Sequence, residues 1–345
     1  MSCPRRIVLA ITVFGAGAIG GIAGACAALA GEDVTFVDRV SEHVQRINND
    51  GLLVSGLRGK DVRVKARAIE PAQLKDELDL VLLCVKSQDT VESMDTLTPY
   101  IGPNSLVVSL QNGLNEEVIA SYIGAQRTIG CLVDWGGDYQ GPGHIQYSGD
   151  APMRIGELDG RTTKNLYDVQ RVLNHTNSTA ITNNILGYLW SKIIWGDFYV
   201  GNALGTSTSI AMLEAKRYRP ILLALFREST AVAQAAGIKL EPLTEHNFDP
   251  AALANMEPEE GYAKFDGMAD SFRGHAKVYS GPWRDIAVRK RPTEVDYILG
   301  PITEKGCELN VPTPLNSRLI ELVKEVESGR RSQDDANLLE LEGFL

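Results

Sequence analysis

Residues 7–37 follow a fixed order: an apolar run, a glycine cluster, a small-residue run and a second apolar run. The apolar stretch 7–14 predicts a buried strand, residues 22–30 carry a small-residue helix pattern, and 34–37 predict a second strand. Further on, 62–68 alternates apolar and polar positions as a half-exposed strand does. Residues 79–85 form a continuous apolar run, the mark of a strand covered on both faces. A helical pattern over 90–97 ends at Pro99, and 105–110 and 128–133 predict two more strands. Short alternating runs between His144 and Leu158, separated by Gly and Pro, predict a hairpin or added strands. Strand–helix alternation of this kind predicts an α/β fold with a doubly wound, mostly parallel sheet.

The pattern changes near Asn184. Helices are predicted over 186–201, 220–236, 293–307 and 316–326, with Gly237 and Gly329 placed as C-caps. Residues 242–281 read as irregular, rich in Pro, Gly and Asn. The expected division is 1–183 for a dinucleotide-binding domain and 184–345 for a helical domain that binds substrate.

The glycine cluster is Gly15-Ala16-Gly17-Ala18-Ile19-Gly20, and Asp38 ends the second apolar run eighteen residues past Gly20. Strand, glycine loop, helix, strand and acid together form a dinucleotide-binding fingerprint. Gly15 allows the tight turn, Gly17 lets the backbone approach a pyrophosphate, and Gly20 lets helix and strand pack closely. The pyrophosphate sits on the helix N-terminus, where free N–H groups and the dipole favour an anion. Asp38 can accept hydrogen bonds from both ribose hydroxyls of NAD and would repel the 2′-phosphate of NADP, so NAD(H) is expected over NADP(H). Alternatively, Asp38 only caps a turn. Arg39 can stack on adenine or bind a 2′-phosphate.

With 345 residues, 44% hydrophobic and 23% charged, the chain fits a globular protein of two domains. A net charge of −10 with no basic cluster argues against nucleic acid as a partner. Cys3, Cys26, Cys84, Cys131 and Cys307 are scattered and form no ligand spacing, so reduced thiols, no metal and a cytoplasmic setting are expected. Arg5-Arg6 and the apolar residues through Ala30 mimic a secretory signal, but five glycines interrupt the run where a phosphate loop needs them. No other segment approaches membrane-spanning length.

Three polar clusters fall at the ends of predicted elements. Lys86 follows the strand 79–85, where a Lys can face cofactor phosphate, ribose or a substrate carboxylate; the alternative is a solvated loop Lys. Gln111-Asn112-Gly113 follows the strand 105–110, and Asn112 can offer an amide to the nicotinamide ribose or the reacting oxygen; the alternative is a plain Asn-Gly turn. Lys192 lies among apolar residues of the first long helix of the second domain, where partial burial lowers a Lys pKa and suits it to acid catalysis. Glu294 opens a later helix, either as a capping carboxylate or as a functional one.

GAGAIG at 15–20, VKS at 85–87, QNG at 111–113, LWSK at 189–192, RPTEVDY at 291–297 and VPTP at 311–314 occur in the order and spacing of the ketopantoate reductase family, which the chain resembles over nearly its whole length. The resemblance implies a Rossmann domain followed by an all-helical 6-phosphogluconate dehydrogenase-like C-terminal domain, reduction of a 2-keto acid by a nicotinamide cofactor, and a homodimer. It implies Lys192 as general acid and Glu294 as the carboxylate that helps position that Lys and a substrate hydroxyl. It also implies Asn112 beside nicotinamide and substrate, and Lys86 approaching cofactor and substrate; Gln111, by its place after the strand, is a further candidate at the cofactor.

Departures from the family pattern accompany the likeness. Gly196 stands where the family has a substrate-holding Asn one turn after its Lys, with Asp197 beside it. The next family Asn corresponds to Asn202 only across an insertion. In the segment 279–285, Ser280 and Asp285 match and the rest do not. Asp197, Tyr199, Asn202, Ser280, Trp283 and Arg284, with Lys86, are therefore the candidate substrate contacts. The expected function is hydride transfer between a nicotinamide cofactor and a small 2-keto or 2-hydroxy acid. The alternatives are an authentic 2-dehydropantoate 2-reductase of pantothenate biosynthesis and a non-catalytic redox sensor.

Overall fold

Five neighbouring strand ends meet at one edge of the main sheet. In the computed structural model, which describes residues 9–273 and 278–345, the strands are β1 (Ala10–Phe14), β2 (Asp33–Val37), β3 (Leu52–Leu57), β4 (Lys60–Val64), β5 (Arg67–Ile69), β6 (Leu78–Leu83), β7 (Ile101–Ser109), β8 (Thr128–Val133), β9 (Gly137–Gly141), β10 (His144–Tyr147), β11 (Met153–Glu157) and β12 (Thr179–Ile181). The main sheet runs β12-β11-β8-β7-β6-β1-β2-β5, parallel except where β11 meets β8. Its order reverses between β1 and β6, and ladder bonds align the carboxyl ends there: Gly15 N–H donates to Val37 O (2.8 Å), Cys84 N–H to Phe14 O (2.8 Å), and Leu110 N–H to Leu83 O (2.9 Å). Ligands bind at such a switch point in open α/β sheets.

The chain divides into one unit of residues through Gln111 with Asn115–Ile185, and a second of Asn112–Leu114 with Leu186–Leu345. The first unit carries helices α1 (Ala18–Leu29), α2 (Ser41–Asp50), α3 (Thr90–Leu97), α4 (Glu116–Ile123) and α5 (Lys164–Leu173). Apolar residues of α1, α2 and α5 pack on one face of the main sheet, and Met94, Leu97, Ile119 and Ile123 of α3 and α4 on the other. A second sheet, β4-β3-β10-β9, lies over α1. The composition of α1 follows from this double cover. An added Cβ at Gly20 would lie 2.1 Å from Gly15 O, one at Gly24 2.4 Å from the Phe36 ring, and one at Gly21 2.0 Å from Ile145 of the second sheet.

The half-exposed strand expected over 62–68 is in fact two strands in different sheets. β4 pairs antiparallel with β3, and β5 pairs parallel with β2. The alternation was real, but the chain changes sheets in the middle of it. The apolar-glycine stretch that mimics a secretory signal is β1, its loop and α1, with Gly20–Ala27 all buried; Cys3, Arg5 and Arg6 lie outside the described residues.

The second unit is helical: α6 (Ile185–Ala203), α7 (Ser209–Glu214), α8 (Arg219–Ala235), α9 (Pro250–Ala254), α10 (Pro258–Ser271), α11 (Gly281–Ala287), α12 (Val295–Ile298), α13 (Gly300–Leu309) and α14 (Pro314–Glu327). The single helix expected over 293–307 is split, because Pro301 has no N–H to continue the ladder and its ring crowds the preceding turn. The irregular reading of 242–281 fails at α10, which buries Gly261, Phe265, Met268 and Ala269 at helical spacing. Its two glycines hid it. Gly261 is there for close packing, since a Cβ would sit 3.0 Å from Leu223 of α8. Among the described residues no helix is long and apolar enough to cross a membrane.

Two substitutions separate packing from loop chemistry. Gly20→Ala must push its methyl into Gly15 O and Val13, and is expected to lower the unfolding free energy by about 1–3 kcal/mol in chemical denaturation. Gly17→Ala, whose Cβ meets nothing within 4 Å, meets no such clash and is expected to cost about 0.5–1 kcal/mol, the ordinary difference between Gly and Ala at an N-cap.

Candidate active site

The turn after β1 has the open, amide-lined form that suits a phosphate group. Gly15 has φ +96°, a left-handed conformation that suits glycine, and a Cβ there would meet the backbone of Val85 at 2.9 Å. Gly17 is the N-cap of α1, with no side chain capping the helix, no acidic residue in the first turn, and open space where a Cβ would project. Free amides, a positive helix end and room beside Gly17 fit a dinucleotide pyrophosphate.

Ala16, at the centre of this turn, is held from both sides. Its N–H donates to Asp38 Oδ2 (2.9 Å). Its carbonyl accepts from His43 Nε2 (2.9 Å), because His43 Nδ1 accepts the N–H of Gly143 (2.8 Å) and so leaves the ring proton on Nε2. His43 is buried and was not singled out from sequence; its two partners are backbone groups 27 and 100 residues away. The other oxygen of Asp38 accepts the N–H of Val40 (2.9 Å). The capping alternative for Asp38 is therefore realised in the structure. It does not exclude ribose binding, since a carboxylate has about four acceptor sites and two are used by these bonds. Tyr139 of β9 packs edge-on to His43, with ring centroids 5.2 Å apart. Burial pushes the Tyr139 hydroxyl pKa up, and the charges of Asp38 and Glu42 add to the rise.

Arg39 pairs with Asp89 (3.2 Å). The ion pair joins the loop after β2 to the turn after β6, so it runs past the end of β1, which lies between those strands. Lys86 is partly exposed and opens that turn. Gln111, expected at the cofactor, is instead buried. Its Nε2 donates to Thr90 Oγ1 (2.7 Å) and Val85 O (3.1 Å), tying the end of β7 to the segment after β6. Asn115 continues this network, accepting from Thr90 Oγ1 (3.1 Å) and donating to Ser87 Oγ (3.2 Å). Asn112, next to Gln111, is exposed.

In the second unit, α6 is buried along almost its whole length. Only Leu186, Tyr188, Lys192 and Tyr199 keep partial exposure. Tyr188, Lys192, Gly196 and Tyr199 fall at spacings of four, four and three, which puts them on one face. Gly196 touches Ile298 of α12, whose Cγ2 lies 2.5 Å from where a Cβ would be. Glu294 caps α12 and its carbonyl accepts the N–H of Ile298 (3.0 Å); it is buried. Lys192 and Glu294 are thus each one helical turn, about 6 Å along the axis, from the same contact.

The remaining substrate candidates divide. Asp197 is turned away from the open stripe and is fully buried: its Oδ2 accepts from Ser229 Oγ of α8 (2.8 Å). Asn316 of α14 donates to Ser229 Oγ (2.9 Å) and to Glu228 (3.0 Å), which completes a polar cluster between three helices. Burial pushes the Asp197 carboxyl well above the usual range, the charge of Glu228 adds to this, and the Ser229 bond only partly opposes it. Asn202 is likewise directed into the core, donating to Ser207 O (2.9 Å). Position five or ten after Lys192 is off its face, which the helical period explains. Ser280 caps α11 and donates to Tyr199 O (3.0 Å); Trp283 donates to Gly205 O (3.0 Å) and stacks on Tyr279. These bonds anchor α11 beside the Tyr199 end of α6. Arg284 is partly exposed, and the buried Asp285 is taken up by Arg289 and Arg291.

Residues 11–160 match the family model described as ketopantoate reductase PanE/ApbA, and 184–327 match its C-terminal model. The 2-dehydropantoate 2-reductase of Pyrococcus abyssi (strain GE5 / Orsay) is 30% identical over 324 residues, covering 92% of this chain and 98% of that protein. That of Archaeoglobus fulgidus is 30% identical over 323 residues, covering 92% and 98%. Among solved structures, a PanE/ApbA family ketopantoate reductase from Ralstonia eutropha JMP134 superposes with a TM-score of 0.77 at 26% identity, covering 93% of this chain and 99% of that one. A D-mandelate dehydrogenase in complex with NADH and anilino(oxo)acetate superposes at 0.81 with the same coverage; at 22% identity this is a likeness of fold.

The raised Asp197 pKa has a signed consequence for stability. The folded state holds the proton after the unfolded chain has released it near pH 4, so this stabilisation is complete below that pH and is lost as pH rises towards the folded value. Asp197→Asn keeps an oxygen for Ser229 and has no proton to lose. Its stability relative to the unmodified chain is expected to improve from pH 4.5 to pH 8, by up to about 1.4 kcal/mol per pH unit, in denaturation curves taken across that range.

Proposed function

The chain belongs to the ketopantoate reductase family, and on that premise we propose that it is a nicotinamide-dependent oxidoreductase interconverting a small 2-keto acid and its 2-hydroxy acid, with NAD(H) preferred and Lys192 as general acid and base. One observation carries the reading. Lys192 lies on an open stripe of a helix that, Leu186 apart, is otherwise buried, one turn from the α12 contact that also lies one turn from Glu294.

When bound, the nicotinamide supplies or accepts the hydride. The residues of the chain do the rest. The amides at the start of α1 hold the pyrophosphate, and Asp38 faces the adenosine ribose, which is the basis for NAD(H) over NADP(H). Lys86 and Asn112, at the carboxyl ends of β6 and β7, serve the nicotinamide ribose and the substrate. Hydride addition to the keto carbon places negative charge on oxygen. The Lys192 ammonium stabilises that charge and gives its Nζ proton to the oxygen; in the oxidising direction the neutral amine takes the hydroxyl proton back. Glu294 fixes the position of the Lys192 head. The enzyme works, in this proposal, as a cytoplasmic homodimer.

A second reading is favoured by the names of the curated relatives, both of them 2-dehydropantoate 2-reductases: the substrate is ketopantoate itself. Steady-state turnover of ketopantoate with NADH and NADPH side by side separates the two. Slow reduction with NADH well ahead of NADPH is expected; fast reduction with NADPH at least as good would establish the second reading instead. Lys192→Ala is expected to lower kcat by about 10²–10⁴-fold while NADH affinity, measured by fluorescence titration, stays within about twofold. Full activity in that variant would sink the mechanism.

A further inference from the structure

We propose that Asp89 is a specificity-determining residue of the dinucleotide site: it holds the Arg39 side chain across the sheet edge and so withholds that guanidinium from a 2′-phosphate. The proposal rests on the NAD(H) preference of the preceding reading. It adds to Asp38 a second residue, from a different element, on which that preference depends.

In a site of this form the acid after the second strand meets the adenosine ribose, and an Arg close to that acid takes the 2′-phosphate of a phosphorylated dinucleotide. Arg39 directly follows Asp38. The backbone around it is fixed, because Asp38 accepts the N–H groups of Ala16 and Val40 and so ties this segment to the glycine turn. A guanidinium at that place can grip a phosphate with two parallel hydrogen bonds. Here it is already engaged: Arg39 Nη1 donates to Asp89 Oδ1 (3.2 Å).

Asp89 is the better anchored of the two. Its side chain is 23% exposed, against 71% for that of Arg39. It stands at the N-cap of α3, a position where Asp commonly bonds an N–H of the first turn, yet its side chain makes no such bond and serves Arg39 instead. Its own N–H donates to Lys86 O (2.9 Å). The next residue, Thr90, is buried and bonded to Gln111 Nε2 (2.7 Å) and Asn115 Oδ1 (3.1 Å). The carboxylate therefore stays in place, and the long arginine side chain comes to it.

A 2′-phosphate brings about two negative charges near neutral pH. To use Arg39 it must first break the pair, and it then leaves the charge of Asp89 without its partner. A dinucleotide with a plain 2′-hydroxyl has no such need. An exposed ion pair corresponds to at most about fivefold in an equilibrium constant, which sets the size of the effect.

The test measures dissociation constants of NADH and NADPH for the full chain by fluorescence titration, at roughly 10 mM ionic strength, where exposed charges are least screened. The readout is the NADPH-to-NADH ratio of these constants, from which any change common to both dinucleotides cancels. NADH is expected to bind more tightly to the unmodified chain. Asp89→Asn is expected to lower the ratio about twofold to fivefold, and the gain is expected to shrink at about 1 M salt. Arg39→Ala is expected to move the ratio little by itself and to abolish the gain when combined with Asp89→Asn, which separates release of Arg39 from simple loss of a negative charge. A ratio that Asp89→Asn leaves unmoved, or a gain that survives Arg39→Ala, would overturn the inference and leave the NAD(H) preference resting on Asp38. NADPH bound at least as tightly as NADH by the unmodified chain would overturn that preference and this inference with it. Binding of neither dinucleotide would overturn the oxidoreductase reading as a whole.

Discussion

Helix α1 has to fit between two sheets, and the rest of the first unit is arranged around that constraint. Towards the main sheet it presents Gly20 and Gly24, and towards the small sheet Gly21, each where a methyl would collide. A larger residue at any of the three would lift the helix from one side or the other. Its N-terminus would move with it, and the cradle at Gly17 depends on that N-terminus staying against the ends of β1, β2 and β6. The small sheet thus helps hold the glycine turn even though it contributes few side chains near the loop. It presses α1 down, and through Gly143 it orients His43, which in turn fixes the carbonyl of Ala16.

The second unit solves a different problem. A 19-residue helix surrounded by others has few positions left for chemistry, and those positions are decided by angle around the axis. Lys192 falls in the gap. Asp197 falls into the interior, where burial disfavours the ionised carboxylate and pushes its pKa up. The same helix therefore carries Lys192 partly exposed and Asp197 in its core, five residues apart in sequence.

What could be read without the structure was whatever is written in local periodicity. The strand, glycine turn and helix of residues 10–29, the buried strand before Val85 and the partly exposed Lys192 on a buried helix are all written within one or two elements. What could not be read depends on distant partners. The small sheet pairs β3 with β10 across the whole main-sheet core, and no short window contains both. His43 looked like any helix residue, because both of its partners are backbone groups. Gln111 read as a ligand contact because of its place after a strand, and turned out to brace that place through Thr90 and Val85. Asp197 and Asn202 had the right chemistry for substrate but the wrong angle on α6. Helix α10 was obscured by Gly261, a residue that lowers propensity and at the same time permits the close approach that holds the helix in place.

The carboxylate of Asp38 serves the backbone on either side of it, accepting from Ala16 and Val40. Position 38 is therefore not one that can be exchanged by itself. Replacing Asp38 with a small neutral residue also removes the acceptor that holds Ala16 and Val40, and loosens the glycine turn as a whole. The residues open to redesign are those whose bonds leave the turn alone, beginning with the exposed ion pair of Arg39 and Asp89.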